Sequence, residues 1–546
     1  MKPAYNAVYT NFLRRNSLPH KKSAFLIFPV LDFSRAAQDA PYTKNAGTIM
    51  GYVMAAPAFG RPSIEGNFFT GAPFRPAQTR KMTAVFTCYN SGLKDRRLKN
   101  SETEALILYF FIETYGCQMN ANESEKMAGL LSEAGHLYTD RMEEADLILV
   151  NTCTVRQKSA DKVYGFIGRT LALRKTKPSL RLGVCGCLAE AENRALLRRK
   201  GVDFVFGTRA YPAVVEIVER AHRSERFAEL GDFLARENAF SPIRRYSSHH
   251  AWVTIIYGCD KFCSYCIVPY TRGREKSRDF SDICAEVSML AERGYREITF
   301  LGQNVDSYGK DLKEASVSFA DILSFAAGVE GVERIWFLTS YPSDFTQTAI
   351  DTIANHSNIA RAIHLPLQSG SDAVLKKMNR RYSREEFIDL TSRVRKAIPD
   401  AALSTDLIVG FPGETEEDFE QSVDLAQTVM FERLNLAMYS PREGTLAQQT
   451  LPDDIPYSVK NKRLQILLDL QKRINKHLNQ ENLGKKLWVI AEKPTKIGST
   501  QLYGRTDRNR IVIFEGSADL IGKWVEVSIA KVTAGPLYGD ISQIRD

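Results

Sequence analysis

Three cysteines within eight residues constrain this chain more than any other feature. They form the spacing CxxxCxxC in the stretch YGCDKFCSYC, at Cys259, Cys263 and Cys266. Thiolates this close together on one loop are usually metal ligands. A [4Fe-4S] cluster held by three thiolates keeps one iron open for another ligand, whereas a structural zinc ion normally has four closed ligands. The nearest histidines, His249 and His250, precede the loop by about a strand's length, so the spacing favours an iron–sulfur cluster.

A disulfide or a group of packed apolar cysteines is the alternative for this loop, and the rest of the chain argues against both. The sequence has no run of eighteen apolar residues, and the strongest early run, FLIFPV at residues 25–30, is too short for a membrane span or a convincing signal sequence. We therefore expect a cytoplasmic protein with no membrane partner. A reducing compartment keeps thiols free, so the nine cysteines point to metal ligation rather than to disulfides.

The length and the charge distribution indicate several domains preceded by a basic extension. A chain of 546 residues is too long for one core and should form three or four domains. Residues 1–100 hold 15 Lys+Arg and 4 Asp+Glu, a net charge of +11, so the rest of the chain carries −2 of the total of +9. Because residues 1–107 show no sustained periodicity, we expect them to be mostly disordered. An organelle transit peptide and a misplaced start codon are both compatible with this segment.

Residues 108–245 alternate short apolar runs with helical segments, such as 124–134, which is typical of a parallel α/β sheet. The predicted strands are LYFFIETYG, ADLILVNTC, LRLGVCGC and FVFGT, and three of these stretches lead into Cys117, Cys153 and Cys187. Ligands of open α/β sheets gather at the carboxyl ends of strands, so these cysteines could form a second three-thiolate site, with simple packing as the equal alternative. Cys185 is expected to point to the opposite side of the extended chain from Cys187 and to pack.

Five motifs carry a resemblance to a known family. ETYGCQMNANESE, NTCTVRQKSADKVYGFIGR, GVCGCLAEAE, GCDKFCSYCIVPYTRGREKSR and FLGQNVDSYG closely resemble the MiaB family of tRNA methylthiotransferases, which are radical S-adenosylmethionine enzymes. The resemblance implies two [4Fe-4S] clusters and S-adenosylmethionine as cofactors, with Tyr265 near the adenine of the latter. It assigns the radical-generating cluster to the CxxxCxxC loop. It assigns an auxiliary, sulfur-supplying cluster to Cys117, Cys153 and Cys187.

Residues 246–480 contain six strand-like segments separated by amphipathic helices, which resemble the partial β/α barrel of the radical S-adenosylmethionine enzymes. After the strand ALSTDLIVG, the turn with Gly410, Pro412 and Gly413 leads into the acidic run ETEED, which favours a helix N-terminus. The resemblance places Asp406, Gly410 and Gly413 at the S-adenosylmethionine pocket. A well-capped helix without a binding role is the alternative. His364 is expected to be a hydrogen-bonded histidine at a strand end rather than a proton carrier.

The C-terminal part combines a basic helix with alternating strands. Residues 460–476 hold six basic residues against the single Asp469, and their apolar residues keep helical spacing, so the basic side should face solvent or RNA. Residues 481–546 resemble the TRAM domain, a small β-barrel that binds RNA in this family. Charge and aromatic stacking hold single-stranded RNA. The candidate RNA contacts are Tyr503, Arg505, Arg508, Arg510 and Lys523.

The predicted fold class is therefore α/β, with an N-terminal Rossmann-like parallel sheet, a partial β/α barrel of the TIM type and a small C-terminal β-barrel. The resemblance implies that the substrate is tRNA with N6-isopentenyladenosine beside the anticodon, which receives a 2-methylthio group. It also implies an electron donor such as flavodoxin or ferredoxin, and a sulfur source. Close relatives act on N6-threonylcarbamoyladenosine in tRNA or on an aspartate of a ribosomal protein. A non-catalytic RNA-binding iron–sulfur regulator is a more distant alternative.

Overall fold

A computed structural model of the chain describes residues 106–154, 157–223, 226–312, 316–496 and 499–545. The predicted basic extension, including Cys88, lies outside the described residues except for its last two positions. Within the described ranges, no helix is both long and apolar enough to cross a lipid bilayer.

The first region is a six-stranded sheet with the order β2-β1-β3-β4-β5-β6, in which all neighbouring strands are parallel. Its strands are β1 (Tyr109–Tyr115), β2 (Leu137–Tyr138), β3 (Leu147–Thr152), β4 (Arg181–Gly186), β5 (Phe204–Phe206) and β6 (Phe227–Glu229). Its helices are α1 (Gln118–Glu133), α2 (Gln157–Leu173), α3 (Cys187–Arg198) and α4 (Val214–His222). The four predicted strands are all present, whereas β2 and β6 were not predicted. The helix predicted at 124–134 begins earlier, because Cys117 rather than a later residue is its N-cap.

The second region is an open barrel of parallel strands surrounded by helices. The barrel strands are β7 (His250–Thr254), β10 (Glu297–Leu301), β11 (Arg334–Phe337), β12 (Ala362–His364), β13 (Ala402–Val409) and β14 (Arg433–Met438). Two short strands, β8 (Ile256–Tyr257) and β9 (Lys276–Ser277), form a separate antiparallel pair. Its helices are α5 (Val268–Arg272), α6 (Phe280–Glu292), α7 (Phe319–Ala327), α8 (Gln347–Asn355), α9 (Asp372–Lys377), α10 (Arg384–Ala397), α11 (Glu416–Val429), α12 (Leu446–Thr450) and α13 (Tyr457–Gln480).

The barrel is incomplete. Two three-stranded sheets, β11-β10-β7 and β12-β13-β14, are joined by a bridge between Ile335 and Ile359, so β7 and β14 stand at the two open edges. Successive residues of a strand point to opposite faces. Residues such as Val253, Phe300 and Phe337 are buried in the core that includes the surrounding helices, and their strand neighbours therefore face the interior of the barrel.

The third region is a closed barrel with the strand order β15-β16-β17-β19-β18. The strands are β15 (Lys486–Pro494), β16 (Gln501–Arg505), β17 (Ile511–Glu515), β18 (Trp524–Val532) and β19 (Leu537–Arg545). These three regions confirm the predicted α/β fold class. The domain boundaries at 107, 245 and 480 stay predictions.

The helix α13 confirms the predicted amphipathic helix, but its basic residues do not all face outward. Lys460 and Arg463 are buried, with Lys460 paired to Asp453 at 2.5 Å and Arg463 to Glu414 at 2.7 Å. The expectation of an outward-facing basic side is wrong for these two residues, because carboxylates of the barrel compensate their charge.

A buried network of charged and phenolic groups fixes the first region against the barrel. Lys126 of α1 pairs with Glu237, and Tyr257 of β8 donates a hydrogen bond of 2.5 Å to the same carboxylate. Burial by itself would raise the pKa of Glu237, but the charges of Lys126 and Arg278 outweigh it and lower the pKa to about 2. The carboxylate is therefore ionised at neutral pH, and the orientation of the two regions rests on paired charges.

Candidate active site

The CxxxCxxC loop lies between β8 and α5, at the carboxyl end of the first barrel strand. Its backbone is anchored by the segment after α9. The Ser264 amide donates to the Met378 carbonyl at 2.9 Å, and the Asn379 side-chain amide donates to the Phe262 carbonyl at 2.9 Å. The Cys259 amide donates to the Gly273 carbonyl at 3.1 Å, which closes the loop upon itself.

Gly258 makes this closure possible. Its φ of 69° lies in the left-handed region, and a Cβ atom at this position would lie 2.0 Å from the Arg274 carbonyl oxygen. A side chain at position 258 is therefore excluded both by conformation and by space.

Burial governs the ionisation of these thiols. Burial is the largest cause that raises the pKa of Cys259 and of Cys266 to about 12, and the neighbouring Cys263 contributes to both. The three sulfur atoms thus lie close enough to influence one another. With such a pKa, Cys259 and Cys266 are neutral at pH 7. Iron binding would displace these protons, as thiolates are the form that binds metal.

Arg380 contacts the cysteine loop and was not predicted from the sequence. Its Nη1 donates to the Cys263 sulfur at 3.3 Å, its Nε to the Tyr382 hydroxyl at 2.7 Å, and its Nη2 to the Pro366 carbonyl at 2.5 Å. Its guanidinium also lies over the Tyr341 ring, 4.4 Å from the centroid. The arginine therefore places a fixed positive charge against one of the three thiols.

The dispersed cysteines are brought together by strand register. Tyr115, Thr152 and Gly186 are paired across β1, β3 and β4, so three strands end at one level. Cys117 follows β1 by two residues, whereas Cys153 and Cys187 follow β3 and β4 directly. The convergence predicted from the carboxyl ends of the strands is therefore present in the structure.

These three thiols are in mutual electrostatic contact. A hydrogen bond with the Cys153 thiol and burial raise the pKa of Cys187, while Arg272 lowers it. Desolvation in the cleft raises the pKa of Cys117, which Arg272 lowers and Cys187 raises. Cys117 is the N-cap of α1 and Cys187 is the first residue of α3. Helix N-termini favour negative charge and therefore the thiolate form.

Cys185 lies elsewhere, in the apolar core between the sheet and its helices, with 1% of its surface exposed. Strand alternation is not the reason, because residues two positions apart in one strand share a face. The chain turns at Gly186, with φ 88°, and Cys187 already belongs to α3. The expected separation of the two cysteines is therefore observed, but the expected cause was wrong.

Arg272 is the second functional residue that sequence reasoning missed. It ends α5, is 4% exposed, and donates from Nε to the Cys187 sulfur at 3.2 Å. Its Nη1 donates to Glu123 of α1 at 2.6 Å and its Nη2 to the same carboxylate at 3.4 Å. Since α5 begins two residues after Cys266, a helix about 8 Å long joins the two cysteine sites.

The donor sets fit iron–sulfur clusters better than single metal ions. Across the part of the chain that the structure describes, no three His, Cys, Asp or Glu side chains converge on one ion position. In a cubane cluster each thiolate binds its own iron, so the thiols need to surround a volume rather than a point. Each site offers three thiols and one arginine, which suits a cluster with one open iron.

Family models match three successive segments of this chain. They are an uncharacterized protein family, UPF0004, at residues 109–207, the radical SAM superfamily at residues 253–426 and the TRAM domain at residues 480–542. Curated relatives from Thermotoga petrophila and Thermosipho melanesiensis are each named tRNA-2-methylthio-N(6)-dimethylallyladenosine synthase. They are 53% and 52% identical to this chain, over 80% and 79% of its length and 98% and 99% of theirs. The chain belongs to this family of synthases.

A solved structure of the radical S-adenosylmethionine methyltransferase TsrM from Kitasatospora setae also matches, with a TM-score of 0.48 and 13% identity. The match covers 63% of this chain and 77% of that one.

Three of the four residues predicted to lie near S-adenosylmethionine surround one turn of the barrel. Tyr265 packs edge-on against Phe411, with ring centroids 6.4 Å apart, inside the turn that contains Gly410 and Gly413. Both glycines have positive φ, and a Cβ at position 410 would lie 2.3 Å from the Lys460 side chain. The predicted helix follows as α11, which Thr415 caps. The turn therefore meets the cysteine loop, and the glycines are required by its shape.

Asp406 lies in the barrel interior on β13. It accepts a hydrogen bond from the Asn435 side chain at 2.9 Å and lies 3.4 Å from Nε2 of His364. Burial would raise its pKa, but the hydrogen bond and charge of His364 lower it. His364 also contacts the Ser404 hydroxyl at 2.9 Å, so it is a hydrogen-bonded histidine as expected.

Two of the proposed RNA contacts of a synthase line a cavity of about 440 Å³ between the two barrels, namely Tyr503 and Arg505. Arg508 and Arg510 instead pair with Glu432, Arg510 at 2.9 Å, and so hold the small barrel against the start of β14. Lys523 directly precedes β18 and is half-buried. Phosphate contacts by these residues stay a prediction, and Glu432 already uses the charge of two of them.

Proposed function

We propose that this protein adds a methylthio group to carbon 2 of N6-isopentenyladenosine beside the tRNA anticodon. The sulfur comes from an auxiliary cluster and the methyl group from S-adenosylmethionine. The observation that carries the proposal is the identity of about one half with synthases of that name over nearly their whole length. Nothing in the site favours the substrates of the other relatives, so the proposal is limited to N6-isopentenyladenosine.

The two groups of three cysteines and the residues around the Gly410 turn are the ones that would hold the cofactors. Cys259, Cys263 and Cys266 would bind the radical-generating [4Fe-4S] cluster. Cys117, Cys153 and Cys187 would bind the auxiliary [4Fe-4S] cluster. Tyr265, Asp406, Gly410 and Gly413 would border the S-adenosylmethionine molecule. When bound, these groups supply the electron transfer, radical chemistry, sulfur and methyl group that protein side chains cannot supply.

The chain itself contributes position and charge. Cys263 is buried in the loop site, and Cys153 and Cys187 are buried in the sheet site, whereas Cys117 is exposed. Arg380 and Arg272 each hold a positive charge beside one thiol and donate a hydrogen bond to it. The buried Glu123 fixes the guanidinium of Arg272 and so helps to keep the first region in register with the barrel. Such fixed geometry is what lets two sites act on one base.

The partners that the proposal requires are a tRNA, a reductant and a source of sulfur. Flavodoxin or ferredoxin would supply electrons. A sulfur source would replace the atom that leaves with each product. The TRAM domain would bind the tRNA, and the reaction would take place in the cytoplasm.

Nucleoside mass spectrometry of tRNA from cells that lack the protein tests this proposal. We expect the 2-methylthio derivative to be lost, N6-isopentenyladenosine to accumulate, and the intact gene to restore the derivative. A Cys266→Ala gene should fail to restore it. Unchanged 2-methylthio-N6-isopentenyladenosine in the deleted strain would refute the substrate assignment, and full activity of Cys266→Ala would refute catalysis at this site in favour of a binding protein.

A further inference from the structure

The cavity between the two barrels lies away from the cysteine loop. It is lined by residues from the start and the middle of β7 and β10, such as His250, Trp252 and Thr299, by Trp336 of β11 and by Leu338 just after that strand. Its lining includes no residue of the cysteine loop, which follows β8. At the open edge beside β7 the cavity reaches Gln118, the neighbour of Cys117. The lining of this cavity therefore includes none of the six cysteines, but it reaches the residue next to Cys117.

Two indole rings form its wall in a defined arrangement. Trp252, Thr299 and Trp336 are paired in register across β7, β10 and β11, so the two indoles stand on either side of the small Thr299 side chain. The Trp336 indole N–H donates to Glu297 at 2.9 Å, and the His250 ring meets Trp252 edge-on, with centroids 5.6 Å apart. These contacts orient the rings before any ligand binds, which lowers the entropic cost of stacking.

The rim of the cavity is basic. Arg433 at the start of β14 and Lys493 of β15 are exposed and line it, as does Arg505 of β16. Arg505 lies 3.4 Å from Glu492, and its side chain remains 38% exposed. A rim of cations around an aromatic wall matches a nucleotide, whose base stacks and whose phosphate carries negative charge. Burial lowers the pKa of His250 to about 4, so this ring remains neutral beside a base at pH 7.

We propose that this cavity binds a nucleotide of the anticodon loop next to the reacting adenosine, with its base against Trp252 and Trp336 and its phosphate near Arg433 and Lys493. The inference rests on the proposed function and adds a recognition site to it. The reacting base must lie at the carboxyl ends of the strands, beside the cysteines. A neighbouring nucleotide satisfies both the stacking surface and the cations.

The test measures binding of an anticodon stem–loop RNA that carries N6-isopentenyladenosine to the full chain with reconstituted clusters. Stacking on an aromatic ring contributes enough that Trp252→Ala should weaken Kd about tenfold. Trp252→Phe keeps a stacking surface and should remain within about threefold of the parent. Lys493→Ala should weaken binding and lower the slope of log Kd against log salt by about 0.7. The exposed Lys485, which does not line the cavity, is the matched control, and Lys485→Ala should change neither quantity.

Abasic substitutions identify the nucleotide. One abasic position next to the reacting adenosine should weaken binding to the parent, and Trp252→Ala should then cause no further loss. An effect of Trp252→Ala that persists at every abasic position would overturn the proposal. So would the discovery that the reacting adenosine itself is the coupled position, or an unchanged Kd for both Trp252→Ala and Lys493→Ala. Because binding is measured without turnover, failure here is distinct from a parent enzyme that forms no methylthio product.

Discussion

Each of the two cysteine sites contains three thiols, but the thiols of the two sites are brought together in opposite ways. Cys259, Cys263 and Cys266 lie on one loop, whose shape depends on local hydrogen bonds and on neighbouring segments of the barrel. The other three thiols come from separate strands, and only the register of a parallel sheet brings them to one level. The first site is thus a property of a short sequence, whereas the second is a property of a fold.

Each site nevertheless ends with the same elements. One buried or half-buried arginine donates to one sulfur, and a glycine with positive φ precedes one cysteine, at Gly258 in the loop and Gly186 at the end of β4. The arginines differ in their partners. Arg272 is paired with the buried carboxylate of Glu123, while Arg380 is surrounded by tyrosines and Cys263. This difference predicts which site tolerates the loss of its arginine.

The largest expected effect comes from removing one thiol from each site. Cys266→Ala should abolish both 5′-deoxyadenosine and the methylthio product, because both depend on the loop. Cys187→Ala should abolish the methylthio product alone and leave 5′-deoxyadenosine formation within about tenfold of the parent, since its sheet site does not support that step. Liquid chromatography with mass spectrometry measures both products in one reaction.

Cys185→Ala is the matched control for Cys187→Ala, because its thiol is packed in the core two residues away. It should lower stability by about 1–2 kcal/mol through a small cavity and keep the iron of two clusters. Loss of iron in Cys185→Ala with full iron in Cys187→Ala would reverse the assignment of the ligand.

The arginines should differ in their effect on the stability of the apoprotein. Arg272→Gln leaves Glu123 buried without its cation, which should cost about 3–5 kcal/mol. Arg380→Gln removes hydrogen bonds but strands no carboxylate, so about 1–3 kcal/mol is expected. Denaturant unfolding of the cluster-free proteins measures both free energies.

The double variant Arg272→Gln/Glu123→Gln serves as the control for that ion pair. It should recover part of the loss seen in Arg272→Gln, because residues in contact are not additive. A larger loss for Arg380→Gln than for Arg272→Gln would contradict the distinction between the two sites.

The two glycines should each affect their own site. A Cβ at position 258 would lie 2.0 Å from the Arg274 carbonyl oxygen, and one at position 186 would lie 2.4 Å from Asn151 Oδ1 and 2.6 Å from the Thr152 carbonyl oxygen. Gly258→Ala should therefore reduce iron at the loop, and Gly186→Ala at the sheet, each at a cost of about 1–3 kcal/mol. Iron analysis with electron paramagnetic resonance separates the two clusters. Gly294→Ala is the control, because it shares positive φ, has open space and is remote from both sites.

Sequence reasoning located residues correctly where their position depends on spacing or on strand ends. The grouping of the loop cysteines, the level of the strand-end cysteines and the helix after Gly410 all follow from local patterns. It failed where the partner lies far along the chain. Arg272 is 85 residues from Cys187, and Arg380 is 117 residues from Cys263.

The same limit applies to the small barrel and to the barrel interior. Arg508 and Arg510 read as surface cations, because their partner Glu432 lies in the other barrel. Strand alternation could have predicted that Trp252 and Trp336 point into the barrel, because their neighbours Val253 and Phe337 are apolar core residues. Which of the inward side chains share one cavity depends on strand register, which the sequence pattern does not contain.

A pH series separates the surroundings of the loop from those of the sheet. Burial raises the pKa of Asp306 to about 8, and this carboxyl lies near Asp344, which binds Lys261 of the cysteine loop at 2.6 Å. Between pH 4 and 8 this carboxyl is ionised in the unfolded chain but protonated in the folded chain. The free energy of unfolding therefore falls as the pH rises through this range, and the contribution of Asp306 is constant above it. Asp306→Asn imitates the protonated form and should gain stability relative to the parent from pH 5.5 to 8, with no further gain at pH 9. Thermal unfolding at these three pH values measures the difference in Tm, and Asp351→Asn on the exposed side of α8 is the control substitution. A constant difference for Asp306→Asn across the series would show that this carboxylate is ionised in the fold beside Asp344.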